Sequence, residues 1–175
     1  YETRLIDAAG GAGAESRDPA EPLLHESVVD HAWGDYNNHM TEARYLHVFA
    51  DATDAFLRSV GIDAAYLGGG HSAYTVETHL RHLHEVAGMQ PLRVLTQVLG
   101  VDEKRLHLFH TMTHGRSGDT LATAEQMILH VDSARGGACP WIEPVATAIA
   151  RAADAHARLP VPEGVGRAIV LPGHR

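Results

Sequence analysis

The chain has 175 residues, 45% apolar and 21% charged: enough to bury the core of one domain, with no unbroken apolar run as long as a membrane span. Its formal net charge of −8, with histidine neutral, excludes general nucleic-acid binding, which needs a basic face. A single cysteine, Cys139, excludes an internal disulfide and fits a reducing, cytoplasmic setting.

Residues 1–22 include the run DAAGGAGAESRDPAEP and carry few large apolar groups, so they are expected to form a flexible arm or linker. LLHESVVDHA, 23–32, predicts a first strand. The stretch HAWGDYNNHMTEARYLHVF, 31–49, then gathers an acid, two amides and a histidine before the period changes. From Thr41 onward Tyr45, Val48, Phe49, Ala52, Phe56 and Val60 recur at helical spacing, which predicts one long amphipathic helix stopped by Gly61. Residues 62–71 end in Gly68-Gly69-Gly70 and read as a flexible connection.

Four alternating, β-rich segments follow at 72–86, 92–102, 105–115 and 120–132. Their short turns make them antiparallel neighbours. After a loop through Gly136, Gly137 and Pro140, Pro144 opens an Ala-rich helix expected to run to about Leu159. The order predicts an α+β fold in which a curved antiparallel sheet wraps one long central helix. The main domain is expected to span 23–135, with 136–175 forming a C-terminal helix and tail packed on it.

This order, with WGDYNNHMTEARY at the first turn, resembles the hotdog-fold thioesterases, and within them the 4-hydroxybenzoyl-CoA thioesterase branch. Asp35, His39 and Tyr45 fall on that branch's motif positions. Four segments carry a nearer likeness: DYNNHM at 35–40, SAYTVETH at 72–79, DEKRLHLFH at 102–110 and ATAEQMILHVD at 122–132. Together they resemble the betainyl-CoA thioesterases, which occur alone or fused behind carnitine dehydrogenases. The usual member has Gly where this chain has Asn38, a departure that bears on the backbone of the turn. The resemblance implies a hotdog fold, hydrolysis of a small acyl-CoA, no cofactor beyond the CoA of the substrate, and a homodimer or homotetramer.

Thioester hydrolysis needs a polarised carbonyl, an attacking group and a departing thiolate. The chain has no G-x-S-x-G elbow, and Cys139 lies apart from the motifs, so a carboxylate is the natural candidate. On the residues alone Asp35 reads first as a turn or helix-capping group. The resemblance makes it general base or nucleophile, with Asn37 and His39 orienting it or a water. Backbone N–H groups of the turn, or of Gly69 and Gly70, are candidates to polarise the carbonyl.

A quaternary ammonium calls for aromatic faces and a carboxylate. Trp33, Tyr36, Tyr45, Tyr66 and Tyr74 are candidates for the first and Glu77 for the second. Strand alternation puts Glu77 on one face with Ala73, Thr75 and His79. Tyr45 also fits plain core, and Glu77 a plain solvated face. Lys104 and Arg105 are candidates for CoA phosphates or an ordinary hairpin charge pair. The run His79, His82, His84, with His107 and His110, raises a metal site as an outside alternative; none is expected.

Overall fold

In the computed structural model, which describes residues 21–171, the predicted apolar stripe becomes the buried face of helix α1, Glu42–Ser59. Tyr45, Val48, Phe49, Ala52, Thr53, Phe56 and Leu57 all point inward, three or four residues apart. The helix ends where Gly61 takes φ +100°, with Gly61 N–H donating to Arg58 O and Ile62 N–H to Leu57 O. That pair of bonds is a Schellman stop, and only glycine adopts its backbone without strain.

Around α1 curls an antiparallel sheet in the order β1-β3-β4-β5-β2. Its strands are β1 (Leu23–Val28), β2 (His71–His82), β3 (Pro91–Val101), β4 (Arg105–His114) and β5 (Thr120–Asp132). A two-residue strand, β6 (Gly137–Ala138), pairs with the end of β5. Leu92, Val94, Val98, Leu106, Leu108, Met112, Ala122, Ala124 and Ile128 fill the space between sheet and helix. The arrangement is the predicted hotdog architecture. No described helix is long and apolar enough to cross a membrane.

Helix α3, Val145–His156, seats Val145, Ile149 and Ala152 in the same core cluster as Phe56, Leu57 and Ile128. β1 pairs with β3 only as far as Thr96, and His156 Nδ1 accepts the N–H of Val98 beyond that point at 2.9 Å. The helix thus covers backbone that β1 leaves open. Past it the chain returns over the outer face of the sheet, where Pro160 O accepts from Gln97 and Gly166 N–H donates to Glu125 Oε2 at 2.8 Å.

Several expectations are corrected. The first strand stops at Val28 rather than residue 32, because Asp30 turns the chain into a 3-10 turn, His31–Trp33, by accepting Ala32 N–H at 2.7 Å. The flexible connection at 62–71 contains a one-turn helix, α2 (Ala64–Gly68), capped by Asp63 through Tyr66 N–H. The second strand ends at His82 rather than residue 86, where Leu83 and His84 N–H both turn to Leu121 O. The expected arm at 1–22 lies almost wholly outside the described residues.

One polar network sits under the middle of α1. Thr53 Oγ1 lies 2.7 Å from Gln126 Oε1 and 3.1 Å from His110 Nε2, while Thr96 Oγ1 lies 2.9 Å from His110 Nδ1. All four residues are buried. They satisfy one another, as buried polar groups must. Burial pushes the His110 imidazole down to about 4, the Gln126 bond opposing this and His25 adding to it.

Candidate active site

The DYNNHM stretch folds back on itself just before α1. Asp35 N–H donates to His39 O at 2.9 Å, and Asn38 N–H returns to Asp35 O at 3.0 Å. Asp35 Oδ1 accepts two further bonds, from Asn37 N–H at 2.8 Å and His39 N–H at 3.1 Å. Asp35 therefore shapes the turn and is not the cap of α1, which belongs to Thr41. Its other oxygen, Oδ2, has no hydrogen-bond partner among the described residues. Asn38 closes the turn at φ +61°, a left-handed conformation that Asn tolerates better than most side chains. This explains how Asn stands where the related group has Gly.

The turn is clipped to the loop that follows β2. Met40 N–H donates to Val86 O at 2.8 Å and Gly88 N–H to Asn38 O at 3.3 Å, while Thr41 N–H closes the turn on Trp33 O at 3.0 Å. Between turn, loop and the first turns of α1 lies an open cavity of about 430 Å³. Asp35, Asn37, His39 and Tyr45 line it together, as do four polar residues that the sequence does not assign to the site, Glu42, His82, His84 and Glu85, with Met40 and Leu83 between them. His82 and His84 had drawn notice only as metal candidates. Glu85 carried no signal, because only the return of the loop onto the turn brings it there.

The electrostatics of the cavity are acidic. Asp35, Glu42 and Glu85 line it with no lysine or arginine. Glu85 Oε2 lies 3.2 Å from His39 Nδ1. Tyr45 is buried, with its hydroxyl 3.4 Å from His84 O and its ring set edge-on to His82 at 4.8 Å. Burial raises its phenol above the ordinary tyrosine range.

The N–H groups of Asn37 to Met40 are all spent within the turn and its clips. Those of Gly69 and Gly70 donate to Ala65, Tyr66 and Leu67 carbonyls at the end of α2. Neither expected source of carbonyl-polarising donors is therefore open. The start of α1 offers Glu42 and Ala43 N–H: a helix leaves its first N–H groups without intrahelical acceptors, Thr41 supplies no side-chain cap, and Arg44 N–H is already turned back to Thr41 O at 2.9 Å.

The other expected residues do not gather here. Trp33 packs edge-on to His47, with the Arg44 guanidinium 5.7 Å from its ring centre. Tyr36 is 96% exposed. Tyr66 bonds His130 Nε2 at 2.7 Å, and Tyr74 lies out on β2. The five aromatics form no single cage within one chain.

Glu77 is displaced by a bulge between Thr75 and Glu77. Ala73 and Thr75 pair with His130 and Ile128 of the inner face, whereas Glu77 and His79 pair with Met127 and Glu125 of the outer one. The expected common face of these four residues is broken by one inserted residue, Val76. Glu77 thus lines a different cavity, of about 540 Å³, with His107, Glu125 and the C-terminal segment.

Lys104 sits in the β3–β4 turn and Arg105 opens β4. Arg105 binds Asp102 Oδ2 through Nε at 2.7 Å and holds that carboxyl down at about 2. The histidines are divided as well: His79 and His107 are on the outer face, His82 and His110 on the inner. Among the described residues no three His, Cys, Asp or Glu side chains converge on a metal-sized site.

Comparison with known proteins agrees with this architecture. The model of the thioesterase-like superfamily matches residues 29–169. The betainyl-CoA thioesterase of Pseudomonas aeruginosa is 45% identical over 149 residues, 85% of this chain and 94% of its own length. The L-carnitine dehydrogenase/betainyl-CoA thioesterase of Rhizobium meliloti is 47% identical over 168 residues, 95% of this chain. The chain spans only 34% of that fused relative. A Staphylococcus aureus protein solved in complex with CoA superposes with a TM-score of 0.82 at 27% identity, over 87% of this chain and 96% of its own. The chain belongs to the thioesterase-like superfamily.

Proposed function

We propose that this chain is an acyl-CoA thioesterase that hydrolyses betainyl-CoA to glycine betaine and CoA, a step of carnitine breakdown. The observation that carries the reading is Asp35. Two backbone N–H bonds lock one of its oxygens, and its side chain lines the cavity at the open start of α1. The relatives' thioesterase names and the acidic lining, suited to a cationic acyl group, support the choice of substrate.

In this reading the thioester carbonyl lies at the N-terminus of α1, whose N–H groups stabilise the developing oxyanion. Asp35 acts in one of two ways. As base, it takes a proton from a water whose oxygen adds to the carbonyl; the tetrahedral intermediate expels the CoA thiolate, which is then protonated. As nucleophile, it forms a mixed anhydride with loss of thiolate, and water cleaves the anhydride. Asn37 and His39 position the group that attacks. Neither route requires a metal or cofactor.

β2 is an open sheet edge of 12 residues with Val76 56% exposed, and such an edge invites strand pairing. Pairing with the β2 of a second copy gives a homodimer, or two such dimers a homotetramer. It also offers Tyr74, Glu77 and basic groups such as Lys104 a route to a partner's substrate. A chain with one cysteine and no disulfide suits the cytoplasm.

The test is thiol release from betainyl-, acetyl-, butyryl- and benzoyl-CoA, read with a dithiol reporter, for wild type and Asp35→Asn. Preference for betainyl-CoA, with a loss of at least about a hundredfold in a folded variant, is the expected result. Near wild-type turnover by Asp35→Asn removes Asp35 from the chemistry. Preference for another acyl group reassigns the substrate. Saturable binding without turnover would make the chain an acyl-CoA or quaternary-amine binding module instead.

A further inference from the structure

An acyl-CoA is strongly anionic at its nucleotide end, so an acidic cavity is a poor place for phosphates. It suits an acyl group that carries positive charge. Within the cavity the three carboxylates are placed differently. Asp35 is engaged by its own turn, and Glu42 sits in the first turn of α1, where the helix dipole favours an acid. Glu85 has neither use. It sits on the loop after β2, and that loop is pinned on both sides of it. His84 N–H donates to Leu121 O at 3.0 Å, His84 Nδ1 lies 2.8 Å from Thr120 O, and Val86 O accepts from Met40. The backbone carrying Glu85 is therefore held while its side chain, 74% exposed, brings Oε2 to within 3.2 Å of His39 Nδ1.

We propose that Glu85 is the specificity-determining residue of the site: the counter-charge that selects an acyl group bearing a quaternary ammonium. A trimethylammonium group has no N–H to donate, so only charge and aromatic or apolar contact can recognise it. Glu85 supplies the charge, and the edge-packed rings of Tyr45 and His82 supply the wall. The contact with His39 keeps the carboxylate at the mouth of the cavity before substrate arrives. This inference rests on the thioesterase reading and adds the group that distinguishes among thioesters.

The experiment compares betainyl-CoA with 3,3-dimethylbutyryl-CoA, its neutral isostere, in which carbon replaces the ammonium nitrogen. The readout is the ratio of kcat/KM for the two. In wild type the ratio favours betainyl-CoA. In Glu85→Gln it falls about threefold to fivefold, carried by KM for the charged substrate, as expected for one lost ion pair at a largely exposed site. Glu85→Asp keeps the charge and retains most of the preference. An unchanged ratio in Glu85→Gln, or an equal fall on both substrates, overturns the proposal while leaving a thioesterase. Equal turnover of both thioesters by wild type also overturns it. Turnover of neither removes the functional reading on which it rests, and circular dichroism of each variant confirms that the fold is kept.

Discussion

The core network of Thr53, Thr96, His110 and Gln126 makes stability depend on pH in a direction that can be worked out. His110 is fully buried and its imidazole is pushed from 6.5 down to about 4. The unfolded chain therefore binds a proton at a pH where the folded chain does not. The contribution of His110 is intact above about pH 6.5 and is lost as pH falls toward 4. At about 1.4 kcal/mol per pH unit, that interval is worth about 3 kcal/mol, a large share of a domain's total stability. His25, His130 and His156 are also depressed by burial and add in the same direction, so one variant removes only part of the effect. Urea denaturation of wild type and His110→Gln, from about pH 7 to about pH 4.5, measures it. Wild type should lose stability steeply on acidification. The variant should start lower, having lost a fitted side chain, but fall less steeply. Parallel curves would show that His110 does not titrate on unfolding, and the reasoning from its burial would be wrong.

Two further perturbations address the turn and the core. Asn38→Gly should leave the melting temperature near wild type, whereas Asn38→Ala should cost about 1 kcal/mol, because φ +61° strains a residue with an ordinary Cβ; equal melting temperatures for the two would remove strain as the explanation. Phe56→Ala should cost about 3–5 kcal/mol, since its ring is 1% exposed where α1 meets α3 and the sheet; a loss below about 1 kcal/mol by urea denaturation would mean the site collapses freely.

How far the sequence could be read follows from which forces are local. The stripe from Tyr45 to Val60 and the Gly61 stop depend on residues within a few positions of each other, and both appear in the structure where periodicity places them. Asp35, Asn37, His39 and Tyr45 come together for the same reason: a tight turn feeds directly into the helix that carries the tyrosine. Gly68 to Gly70 signal a turn but not its type: Asp63 caps a short helix whose last residue is Gly68 and whose C-cap is Gly69.

Glu77 shows a different limit. Strand alternation is reliable only while the register is unbroken, and the bulge at Val76 moved every later residue of β2 to the opposite face. Nothing within SAYTVETH marks the inserted residue; it exists only in the pairing with β5. The same holds for Glu85. Its neighbours in the chain are a strand end and a loop; its neighbour in space is His39, 46 residues earlier, and it shares a cavity with Asp35, both delivered by the Met40–Val86 clip. A group that selects a substrate across two loops leaves no local pattern, because the register of the sheet and the clip, not the residues beside it, set its position.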